Sequence, residues 1–113
     1  MNGHLYLIVE WDRIEEDVIP CKIGVTRGCI QKRIKKLQTG NNSNLYMFDF
    51  FKSEHPFKLE KMIHRHYHKY NTNGEWFNLP NDVVMKFKSL CEEKEKLINF
   101  LLKENYYYGK RKC

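Results

Sequence analysis

Read from the amino end, the apolar positions of this chain first come in runs and later fall into a helical rhythm. Residues 4–11, HLYLIVEW, are apolar and β-branched, which predicts a strand. The polar stretch DRIEED connects it to VIPCKIGVT, residues 18–26, a second strand with Pro20 near its start, where a missing N–H is tolerated. The two are expected to pair as an antiparallel hairpin with a long loop. Over residues 28–38 the rhythm changes, because Ile30, Ile34 and Leu37 recur at i, i+4 and i+7. This predicts a helix with those three residues buried, Arg33 on the opposite face and Gly40 as its C-terminal stop. NLYMFDFFKS, residues 44–53, predicts a third strand. Pro56 opens a second helix reaching about Tyr70, with Leu59, Met62, Ile63, His66 and Tyr70 facing the core. TNGEWFNLP reads as a turn followed by a short extended or irregular piece, with Trp76 and Phe77 as core plugs.

Residues 81–104 form the longest predicted helix. Val84, Phe87, Cys91, Ile98 and Leu101 make its stripe, widened by Leu90 and Leu97, and that stripe serves either the core or a dimer seam. The tail NYYYGKRKC is expected to fray. Its tyrosines and basic residues either stack on bases and touch phosphates or simply keep the tail soluble. The order β-β-α-β-α plus a long helix predicts an α+β fold, a small, largely antiparallel three-stranded sheet flanked by helices. Residues 1–79 are expected to form the functional domain, with 80–113 a helix and basic aromatic tail packed on it.

A chain of 113 residues has room for one modest core. No apolar run of about 18 residues predicts a membrane span. The N-terminal segment lacks a signal-peptide pattern, so an intracellular protein is expected. Cys21, Cys29, Cys91 and Cys113 show no CxxC pair and read as reduced thiols. The formal net charge of +6 favours an anionic partner. The distribution says more, since residues 10–17 are acidic while 22–38 and 103–112 are basic.

The ordered set KIGVT, RIKKLQTGN, LEKMIH and GEWFNL, with a tyrosine on the first strand, resembles the GIY-YIG nuclease superfamily. It resembles in particular the branch of phages and large DNA viruses with KIG in place of YIG. The similarity covers about residues 4–79. It implies a metal-dependent endonuclease whose partner is nucleic acid, DNA rather than RNA, with no membrane role. By this resemblance Tyr6 takes the place of the tyrosine in GIY, and Lys22-Ile23-Gly24 takes the place of YIG. Arg33 corresponds to the arginine on the scissile phosphate. Glu60 corresponds to the carboxylate holding a single Mg²⁺ or Mn²⁺. The chain departs from the pattern at Lys22, where a second tyrosine is usual, and at Leu37, often His or Tyr. The late asparagine of some members has no clear counterpart. These departures support an alternative, a nucleic-acid-binding protein on the same fold that no longer cleaves. A third reading is a protein-binding module using the exposed side of the last helix.

The residues themselves allow the chemistry. A phenol ionises near pH 10, so as a base Tyr6 needs a neighbouring cation, and Lys22 on the paired strand is the expected one. Otherwise Tyr6 is a half-buried strand tyrosine or positions water. Gly24 either marks a strand irregularity or lets a sugar-phosphate approach the backbone. Arg33 grips two phosphate oxygens at once, which a lysine does not. Lys32, Lys35 and Lys36 are expected to contact the nucleic-acid backbone. Glu60, His64 and His68 share a helix face, so a zinc site is one option. In the nuclease reading His64 is a proton shuttle or phosphate contact. Glu75 either orients a catalytic lysine or histidine or is a plain surface residue.

Overall fold

A computed structural model describes residues 2–39 and 44–112, and their side chains except those of 37–39 and 104–112. The element order is β1 (Gly3–Glu10), β2 (Val18–Thr26), α1 (Ile30–Thr39), β3 (Leu45–Ser53), α2 (Pro56–His66), β4 (Asn71–Asn73), β5 (Trp76–Pro80), α3 (Asn81–Met85) and α4 (Phe87–Lys112). Short 3-10 turns at Trp11–Arg13 and His68–Tyr70 fill two of the connections. The class is α+β, as the pattern predicts. Gly40, the expected helix stop, lies outside the described residues, as do the side chains of Leu37 and the tail.

The sheet has five strands rather than three, in the order β3-β1-β2-β5-β4. Every neighbouring pair is antiparallel. The two unexpected strands are what becomes of TNGEWFNLP. Gly74 takes φ +55, a left-handed value that a side chain disfavours, and this turns the chain back on itself. β5 then pairs with β2 from Val18↔Pro80 to Lys22↔Trp76. That pairing stops short of Gly24, and the Ile23 N–H closes it by donating to the Glu75 carbonyl at 3.0 Å.

Alternation along the strands makes two faces. Leu5, Leu7, Val9, Cys21, Ile23, Phe77 and Leu79 face the main core, closed by Leu59 and Ile63 of α2 and by Val84, Phe87, Leu90, Cys91 and Ile98. Tyr6 and Ile8 point the other way and form a smaller cluster with Leu45, Ile30, Met47 and Trp76. The stripe at 84–98 is thus core. Leu97 and Leu101, expected in it, are exposed, and Leu102 is the later residue that packs.

Three helical details differ from the sequence pattern. At the end of α2 the core position falls to Tyr67, the residue just past the helix and four after Ile63, while His66 is exposed. The helix predicted over 81–104 is two helices, because Lys86 leaves helical geometry at φ −98 and ψ 8. The tail expected to fray continues as helix to Lys112. α4 is tied to the end of β3 and the turn into α2 through Glu95, which accepts from the Ser53 hydroxyl at 2.7 Å and the Glu54 N–H at 2.9 Å. Among the described residues no helix is long and apolar enough to cross a membrane.

Candidate active site

The site is built at the end of β2, where β5 no longer covers it. The β1–β2 register sets Tyr6 opposite Gly24, and the Tyr6 ring lies across that glycine. A Cβ at position 24 would meet the phenol oxygen and come within 2.7 Å of Cζ. The room left by the missing side chain, expected to admit a sugar-phosphate, is taken by this ring. Tyr6 is fully buried.

Arg33 reaches the same phenol from α1. Its Nε and Nη2 both donate to the Tyr6 oxygen, at 3.3 and 3.1 Å. Arg33 is therefore half-buried on the sheet side of α1, not on the face opposite Ile30 and Ile34. The spacing accounts for this, since Arg33 stands at i+3 from Ile30 and beside Ile34, inside the same stripe. The cation at the phenol is thus Arg33 and not Lys22. Lys22 turns to Glu75, with Nζ 3.9 Å from Oε1. Glu75 thus stands beside Lys22 in a long, partly exposed ion pair.

Glu60 and His64 come from α2, in the opposite layer, and reach the same strand end. His64 Nε2 lies 3.0 Å from the Ile23 carbonyl. A carbonyl accepts, so Nε2 carries the proton and Nδ1 is the nitrogen left for chemistry. The ring packs edge-on to Phe77 at 5.0 Å. Glu60 Oε2 is 3.9 Å from His64 Nε2. Lys32, Lys35 and Lys36 are exposed along α1.

The electrostatics couple these groups. Burial raises the Tyr6 phenol above its ordinary value of 10.0, and Glu75 and Glu60 push it further up. The Arg33 hydrogen bonds and charge oppose this without overcoming it. Tyr6 is therefore neutral at neutral pH. Glu60 is likewise raised, first by burial and then by Glu75, against the pull of His64.

Among the described residues no three His, Cys, Asp or Glu side chains come together as a metal cluster. α2 ends at His66, so His68 sits on the following turn and the three-residue zinc face does not form. A Mg²⁺-like ion keeps several waters and takes one or two carboxylates. Glu60 fits that demand. Its carboxylate is partly exposed, its only polar contact among the described residues is the long one to His64, and a second carboxylate raises its affinity for protons. Glu75, which links Lys22, Tyr6 and Glu60, is the residue that spacing undervalued. The signal available was its position directly after the Gly74 turn.

No curated protein and no solved structure matches the chain. The T5orf172 domain matches residues 3–92, a span that holds every residue of this site. On that match the chain belongs to the T5orf172 domain family, a phage-associated family.

Proposed function

We propose that this protein is a metal-dependent endonuclease of the GIY-YIG type that hydrolyses DNA phosphodiester bonds. The observation that carries the reading is the paired donation of Arg33 to Tyr6 across 27 residues of sequence, with Glu60 acting on the same phenol from the other layer. Arg33 has five N–H donors, so others remain for a phosphate oxygen. As the guanidinium turns to the scissile phosphate, it uncovers the buried phenol oxygen, which orients the attacking water. Lys22, steadied by Glu75, holds a positive charge beside the reacting group. Water adds to phosphorus, the sugar oxygen leaves, and His64 Nδ1 serves as the proton carrier. Glu60 would hold a divalent cation, whose charge would stabilise the developing phosphorane and the departing oxygen. Lys32, Lys35 and Lys36 would contact neighbouring phosphates.

A second reading, DNA binding without cleavage, is favoured by one observation. Tyr6 is fully buried and protonated, with Arg33 turned onto it. One experiment separates the two. Duplex DNA is incubated with the protein and Mg²⁺ or Mn²⁺, with and without a chelator, alongside Glu60→Ala. Metal-dependent cutting lost in Glu60→Ala, with binding retained, is expected, the loss being at least about 10²-fold in rate. Binding with no cutting under either metal decides for the second reading.

A further inference from the structure

A cavity of about 350 Å³ adjoins the site on the side away from α1, lined by His64, Arg65, His68, Asn71, Gly74 and Phe77. His64 is a wall of both places, since its Nε2 is bound to the Ile23 carbonyl while its ring borders the cavity. Arg65 and His68 are exposed, and neither forms an ion pair with an acid among the described residues. This differs from Lys22, which already has Glu75, and from Arg33, which is committed to Tyr6. Asn71 spends both Nδ2 protons on the carbonyls of Gly74 and Trp76, at 2.9 and 3.0 Å, so it shapes the wall. Basic side chains in the last turn of a helix offset its negative end. That accounts for Arg65 at the end of α2, but not for a hollow that gathers His64 and His68 beside it.

We infer that this cavity is a second anion subsite, which takes a backbone phosphate of the DNA strand next to the one held at Arg33. The inference rests on the nucleic-acid reading of the site. Arg65 supplies a planar fork suited to two phosphate oxygens, and His68 adds a ring N–H. The subsite sets how far the strand continues past the catalytic residues and in which direction it leaves. Because it touches a phosphate that does not react, it contributes equally before and during the chemical step. It should therefore act on KM and leave kcat unchanged.

The test uses the full chain and a short fluorescein-labelled DNA duplex, with affinity read by anisotropy across a salt series. Arg65→Ala is compared with Lys61→Ala, a charge removed from the exposed side of the same helix outside the cavity. Loss of one phosphate contact lowers the slope of log K against log salt by about 0.9, so the gap between wild type and Arg65→Ala closes about 3.5-fold from about 50 to about 200 mM salt. That result, with single-turnover cleavage at saturation unchanged, is expected. An Arg65→Ala variant no different from Lys61→Ala overturns the subsite. So does a wild-type protein with no affinity for DNA at low salt. A wild-type protein that binds with the Arg65 effect but does not cut leaves the subsite standing and overturns only the nuclease.

Discussion

The tightest constraint in the molecule falls on a residue with no side chain. Gly24 is buried beneath the Tyr6 ring, and any Cβ there would displace the phenol from Arg33. Gly24→Ala is expected to cost about 1–3 kcal/mol by overpacking, seen as a lowered Tm, and to reduce DNA cleavage further than the lost stability explains. A variant with unchanged Tm and activity would show that the ring moves at no cost. The lysine and glycine at the end of β2 are visible in sequence, and so is the arginine on the helix that follows. What sequence hides is who touches whom. Lys22 is the nearer cation to Tyr6 along the paired strands, yet alternation directs only its stem. Its head goes to Glu75, delivered by a hairpin that no periodicity announces. Arg33 reads as solvated because charge is usually outward, whereas here it has a buried oxygen to bond.

At the level of elements, the strands with dense apolar runs and the helices with clear spacing are readable, because each carries its own signal. β4 and β5 do not carry one. They are three and five residues long, polar in part, and exist because β2 offers an edge. The break between α3 and α4 is equally silent, since Lys86 is neither glycine nor proline. The β4–β5 hairpin holds Glu75 through bonds on either side of it, from Asn71 to the Gly74 and Trp76 carbonyls. Asn71→Ala should therefore loosen the hairpin more than the domain. The expected outcome is a global loss of about 1 kcal/mol, with faster amide hydrogen exchange over residues 74–76 and weakened cleavage. Exchange unchanged in that segment would count against Asn71 as its clamp.

Across the whole molecule, two thiols report on the core from opposite sides, Cys21 on β2 and Cys91 on α4. Burial pushes both from the ordinary 9.0 up to about 12. In the unfolded chain they ionise above about pH 9, while in the fold they keep their protons. The unfolded state then binds fewer protons, so stability is whole below about pH 9 and falls as pH rises towards 12, by up to about 1.4 kcal/mol per pH unit for each thiol. Urea titrations on either side of pH 9 measure the slope. Cys21→Val with Cys91→Ala should remove its onset just above pH 9, leaving the part above about pH 10 that the buried phenols of Tyr6 and Tyr67, also raised by burial, contribute with the same sign. The same layering places the two tryptophans in unlike surroundings. Trp76 packs into the small cluster that holds Tyr6, across the strand from Lys22. Trp11 is 46% exposed and packs at a tilt against Tyr46, ring centroids 4.8 Å apart, at the far end of the sheet. The protein thus carries its own optical reporter. With Trp11 replaced by phenylalanine, the emission that remains comes from Trp76, one strand from the Tyr6–Arg33 contact, and any shift of it on adding metal or DNA can be followed without a label.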